Sequence, residues 1–405
     1  MNEAEFSTPQ NEAGNNGIYH GWIIVAAGFV LVLILYGAYY SFGVFKNPIL
    51  DDLGWSDTAY SGAHAVYLIV HGVLAIILGR LCDKYGPRWV VAFGVILIAL
   101  GYGLTSQINA PWQFYIYLGL LTGIGMGAAY VPPLVTVAKW FDERRGLALG
   151  VAAAGVGVGQ IALPPLLKLL INDIGWRDSL LVLGAITCVL GIVAAFYLKN
   201  PPNATDSKNE ISTKKAIRTQ SFWFLLCVFA CLVFGTNMIM QHLEPHVEDS
   251  GIGDIPASLV ITVIGISGIC GRILSGYTAD KIGNRITAAV CLGLQVIVFY
   301  WLFKAEQLWA FYVIAMLYGL GYGGTLPLIV KMSSEFFGTM SGGTIFGVLL
   351  AGASVGGAAG VFSTGIIHDA TDEYFWAFFT AGTVIVVASI FNLILKPPEN
   401  SQTDT

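Results

Sequence analysis

Twelve stretches of this chain are each apolar over about the 20 residues that a helix needs to cross a bilayer core. They run approximately over 22–45, 57–79, 88–107, 112–140, 146–171, 176–199, 221–247, 256–279, 285–304, 308–336, 341–367 and 374–395. Backbone polar groups inside lipid have no water to bond, so a spanning segment is either a helix or part of a closed barrel. The alternating pattern of barrel strands is missing, and the chain is expected to be an all-α membrane protein with twelve transmembrane helices. Composition points the same way. Only 11% of residues are charged, against about 25% in soluble domains, and the mean hydropathy is +0.71. The net charge of −5 offers nothing to a nucleic acid, and the acidic residues fall in tails and loops.

One hydrophilic interruption, 199–220 with its Pro201-Pro202 pair, divides the chain in two. The expected organisation is a polar tail over 1–21, a six-helix bundle over 22–199 and a linker over 200–220. A second bundle over 221–395 and a tail over 396–405 complete it. With the amino terminus inside, fifteen Lys and Arg fall on the inner side and four (Lys46, Lys168, Arg177, Lys304) on the outer, which fixes the orientation. Lys331 is counted among the inner loop residues. Both termini are then cytoplasmic and the protein is multi-pass in the cell (inner, cytoplasmic) membrane. Residues 1–17 lack a basic start, so no cleavable signal peptide is expected. An Asn203-Ala204-Thr205 sequon falls on the inner side, out of reach of glycosylation.

The halves repeat. Gly79-Arg80-Leu81-Cys82-Asp83-Lys84-Tyr85-Gly86-Pro87-Arg88 returns as Gly276-Tyr277-Thr278-Ala279-Asp280-Lys281-Ile282-Gly283-Asn284-Arg285. Gly123, Gly125 and Gly127 recur as Gly319, Gly321 and Gly323. Two pseudo-repeat halves meeting in the membrane suit alternating access about a site near mid-depth, although a channel or receptor could also be duplicated. Within spans, the Gly-x-Gly runs permit close helix crossing and are not nucleotide loops, since no strand precedes them. Gly79 allows helix approach and Asp83 can accept from a facing helix end or an arginine.

The loop Gly79-x-x-x-Asp83-Lys84-Tyr85-Gly86-x-Arg88 resembles the signature of the major facilitator superfamily, and its copy at 276–285 falls where that family's second half places it. Trp140-Phe141-Asp142-Glu143-Arg144-Arg145-Gly146-Leu147-Ala148-Leu149-Gly150, followed by Ala154-Gly155-x-Gly157-x-Gly159, is similar to the monocarboxylate transporters and the oxalate–formate exchangers. Gly21-Trp22 adds a fragment of the monocarboxylate motif. The resemblance implies the major facilitator fold and a conformational signature at Gly79, Asp83, Arg88, Asp280, Arg144 and Arg145. It also implies that an eighth-helix arginine anchors substrate, the position that Arg272 matches.

The residues themselves single out Arg272, the one basic residue deep in a span, where burying a charge costs about 2.5–3.5 kcal/mol on insertion scales. Its planar fork of donors fits a carboxylate. No Asp or Glu lies deep in any span. The animal monocarboxylate carriers have an aspartate one turn before the arginine, where this chain has Gly268, and a first-helix lysine, where it has Tyr40. The oxalate exchangers use a second cation in the eleventh helix, but 341–367 has none. One unpaired cation favours a monocarboxylate over a dicarboxylate.

Tyr130, Asn237, Tyr36 and Tyr322 are expected to line the substrate site with Arg272, and a coupled proton is expected on His242 or on the substrate–arginine pair, while Glu244 is assigned to a loop. His64 and His71, seven apart on one helix face, are assigned to helix packing. The six cysteines sit in apolar segments without metal-ligand spacing. Neither a reactive constellation nor a cofactor motif is present, so the chain is not expected to be an enzyme. The expected function is secondary active transport of small monocarboxylates such as lactate or pyruvate by proton symport, as a monomer. Organic-anion exchange of the oxalate–formate type and a non-transporting membrane sensor are the alternatives.

Overall fold

A computed structural model describes residues 11–201, 211–371 and 375–398. The sequon at Asn203 and the side chains of Gln241 and Glu244 lie outside the described residues. Every regular element is helical. In chain order the spans are α1 (Asn11–Tyr40), α2 (Asp57–Tyr85), α3 (Pro87–Thr105), α4 (Pro111–Trp140), α5 (145–174), α6 (176–197), α7 (Gln220–Asp249), α8 (Asp254–Ile282), α9 (Asn284–Leu302), α10 (Leu308–Phe337), α11 (Gly342–Thr371) and α12 (Phe375–Ile394). Eleven helices are long and apolar enough to cross a membrane, and one of them, Arg145–Tyr197, is broken at Gly175 into α5 and α6. Twelve spans result. Large apolar side chains such as Trp89, Ile69, Tyr300 and Val355 are exposed on the outer surface of the bundle, as lipid-facing residues must be.

Two of the helices are interrupted for local reasons. α1 breaks at Ser41, whose hydroxyl donates to the carbonyl of Gly37 at 2.7 Å, and a short helix, Phe42–Leu53, continues the chain. α4 carries a π segment over Tyr115–Thr122, then a break at Tyr130, because Pro132 and Pro133 supply no N–H to the preceding turn.

The repeat seen in the sequence is a repeat of packing. Gly123 and Gly127 face α2 while Gly125 faces α3; Gly319 and Gly323 face α8 while Gly321 faces α9. The two signature loops turn at equivalent glycines, Gly86 (φ 84°) and Gly283 (φ 92°), a conformation that costs other residues. These loops, together with the α4–α5 and α10–α11 connections, define one end of the bundle, called here the basic end. The linker is tied there, where Ile211 N donates to Phe337 O at 3.1 Å.

The halves meet along α2–α11 and α5–α8. Gly79 lies against the Gly343 carbonyl, and Gly146 and Gly276 against each other's carbonyls, so a side chain at any of them would part the helices. No comparable packing joins α1 to α7 among the described residues. Lys331 differs from its expected place in an inner loop. It is 5% exposed within α10, with Nζ 2.6 Å from Asp280 Oδ1 and 3.8 Å from Glu335 Oε1. The helix runs on past Pro327 and the cation is drawn inward by the signature aspartate.

Candidate functional site

Arg272 is placed by the way α8 is fixed to α10. Ser267, Gly271 and Ser275 form a stripe spaced by four residues. Ser267 Oγ donates to Ala315 O at 3.4 Å and Ser275 Oγ to Gly324 O at 3.2 Å, while Gly271 lies on the backbone of Leu320. With that face bound to α10, the next one along carries the guanidinium toward the junction of the halves. An added Cβ at Gly157 of α5 would lie 3.4 Å from Arg272 Nη1, and one at Gly268 3.0 Å from it. Glycine at both positions makes the room.

Arg272 is 2% exposed. Its Nε and Nη1 are buried with no hydrogen-bond partner, and among the described residues no carboxylate forms an ion pair with it. The contrast with Lys331, buried but paired, is direct. Arg272 Cζ instead sits 5.2 Å from the ring centroid of Tyr322, a cation–π contact. The Tyr40 and Tyr322 hydroxyls lie 3.4 Å apart across the two halves. Tyr36 completes the wall, its ring 4.9 Å from Tyr130 and 6.0 Å from Tyr40. Tyr130 is fully buried at the break in α4.

Of the residues expected at a substrate site, Arg272, Tyr130, Tyr36 and Tyr322 are brought together. Asn237 sets its amide against Gly357 of α11, and no hydrogen bond ties it to Arg272 Nε or Nη1. His242 is half-buried on α7. Tyr40 is a member of the cluster that the sequence flagged only as a replaced lysine. Chemically the cluster is one unneutralised, desolvated cation ringed by phenols, able to receive a small anion in bidentate fashion and to cover an apolar tail.

At the basic end the signature residues clasp helix termini. Asp83 accepts from the amides of Gly343 (2.9 Å) and Thr344 (2.8 Å) and from the Thr344 hydroxyl (2.7 Å) at the start of α11. Asp280 accepts from the amides of Gly146 (2.8 Å) and Leu147 (2.9 Å) at the start of α5. A helix N-terminus offers free donors and the positive end of its dipole, so a carboxylate is the natural partner. Each aspartate therefore binds the opposite half. Arg145 donates to Phe141 O at 2.8 Å and to Asp142 at 2.9 Å, while Arg144 is exposed. Arg88 stacks over Phe196 at 4.1 Å.

The model of the Major Facilitator Superfamily matches residues 28–299 and 247–405. The chain belongs to that superfamily. A rat protein (Rattus norvegicus) named monocarboxylate transporter 13 is 30% identical over 382 residues, 91% of this chain and 87% of its own length. The oxalate:formate antiporter of Oxalobacter formigenes is 25% identical over 397 residues, 96% of this chain and 93% of its own. The crystal structure of the E. coli fucose:proton symporter superposes with a TM-score of 0.74 at 15% identity, covering 94% of this chain and 100% of that one, a likeness of fold. The chain is thus a multi-pass membrane transporter of this superfamily and not an enzyme.

Proposed function

We propose that this transporter carries small monocarboxylates such as lactate or pyruvate by proton symport, with Arg272 as the carboxylate anchor. The observation that carries the reading is a buried guanidinium with two unpartnered donors and no acidic mate among the described residues. A buried cation left in that state is costly, and a carboxylate arriving between the halves offsets the cost with charge-assisted hydrogen bonds. The names of the similar proteins point to the same class of cargo. Tyr36, Tyr40, Tyr130 and Tyr322 then donate hydroxyls and cover the short apolar remainder.

The two bundles, over 22–199 and 221–395, rock about this site. We take the basic end as cytoplasmic, with both termini there in the cell membrane, following the distribution of Lys and Arg. The described conformation, sealed at the basic end by α2–α11 and α5–α8, then faces outward. An anion crossing alone into a cell works against roughly 2.3 kcal/mol per 100 mV, and a proton carried with it removes that charge. The exchange reading keeps some support from the oxalate:formate antiporter's similarity. Uptake of labelled pyruvate into proteoliposomes decides between them. Symport requires accumulation driven by an imposed pH gradient. Uptake that ignores the gradient and appears only as counterflow against internal anion would establish exchange instead.

A further inference from the structure

We propose that His71 of α2 carries the coupled proton, an inference that rests on the symport reading above. His64 and His71 share one face of α2, and that face looks into the aromatic cluster rather than into lipid. The ring of His71 lies 6.1 Å from Tyr67 and 6.1 Å, edge-on, from Tyr130. His71 is 8% exposed and its Nε2 is sealed without any hydrogen-bond partner. A histidine retained only for packing would hold a carbonyl or hydroxyl at that nitrogen, because leaving a buried polar atom unpaired costs about 1–3 kcal/mol. Here the orphaned nitrogen belongs to a ring that meets Tyr130 edge-on.

The ionisable groups around His71 are few. His64 and Tyr67 face it from α2, Tyr130 from α4 and Tyr39 from α1, through its contacts with His64 and Tyr67. Tyr102 of α3 stands behind Tyr67, and α11 presents Ser354 beside Gly72. Tyr130 leads on through Tyr36, Tyr40 and Tyr322 to Arg272. None of the groups named is a carboxylate, so a proton gained by this neighbourhood goes to imidazole. A small cavity lies beside this group on the side away from the basic end. Of about 30 Å³ and lined among others by Tyr39, Phe42, Tyr60, His64, Tyr67 and Thr122, it is large enough for a water or two. His64 stacks on Phe42 at 4.2 Å and on Tyr67 at 5.7 Å, which joins the cavity to the ring beside His71.

The charge balance follows. With Arg272 alone, the empty carrier holds one positive charge and the loaded carrier none, so the cycle moves net charge. A proton taken up from solvent onto imidazole Nε2, and released with the anion on the other side, leaves both legs equally charged.

Reconstituted full-length protein tests this with labelled pyruvate, comparing accumulation under a pH gradient with counterflow at equal pH. H71Q and H71N are expected to lose accumulation at least tenfold while counterflow falls less than threefold, because exchange of loaded carrier needs no proton release. Gradient-driven accumulation by H71Q at the wild-type level overturns the assignment. So does loss of counterflow in step with accumulation in both variants, which marks a structural role. If H242Q loses the drive and H71Q keeps it, the coupling group is on α7. Wild-type protein that counterflows without responding to a gradient would remove the symport reading itself, and the proton site with it.

Discussion

Replacing Arg272 by Met is expected to make the empty protein more stable and unable to bind substrate. The side chains are similar in length, and a thioether is at ease beside the Tyr322 ring that now faces the guanidinium at 5.2 Å. The substitution removes two buried donors without partners, at about 1–3 kcal/mol each. Against this stands the cation–π contact, about 0.5–2 kcal/mol. The balance is a gain of about 0–5 kcal/mol, with a midpoint of about 3 kcal/mol. Thermal unfolding of the detergent-solubilised protein, with and without millimolar pyruvate, reads both effects. Wild-type protein should melt lower when empty and rise with pyruvate, while R272M should melt a few degrees higher and ignore the ligand. An R272M protein that melts below wild type and still responds to pyruvate would show that the guanidinium is a structural brace, and the anchor assignment would be wrong.

Three other outcomes follow from the geometry. G268D places a carboxylate beside Nη1, where an added Cβ would lie 3.0 Å away, so it should compete with the substrate and raise its Kd by tenfold or more in equilibrium binding. D83N keeps shape but loses charge toward two amides and a hydroxyl of α11, weakening the basic-end closure by about 1.5–3 kcal/mol. Faster labelling of a cysteine placed near Gly343 from the basic side would register it, and unchanged labelling would contradict the clasp. K331A removes the cation from Asp280 and leaves it only the Gly146 and Leu147 amides, which should cost about 1.5–3 kcal/mol in stability, read as a fall in melting temperature.

The spans were readable because hydropathy over about 20 residues is a local property, and all twelve stretches correspond to helices within a few residues at most ends. α1 stops about five residues short of its expected end, at Ser41, through a side-chain bond to its own backbone that a hydropathy pattern does not encode. The solitary charge at Arg272 was likewise visible, as was its lack of a mate at Gly268. What the chain could not disclose is which distant residues share a space. Lys331 looks like a loop cation until Asp280, 51 positions away, is seen to hold it inside. Tyr40 enters the cluster only because α10 brings Tyr322 to its hydroxyl from the other half. His71 reads as one more helical polar residue, since periodicity gives a shared face with His64 but not what that face meets.

Each half lends the other a carboxylate and receives one in return, Asp83 on α11 and Asp280 on α5. A stiff body fastened at two separated points cannot swing from one while staying attached to the second. Release toward the basic side is therefore all-or-nothing, and a carrier half undone is not a resting place on the way. Cargo does not leak past a single loosened hinge, because there is no state in which only one hinge is loose.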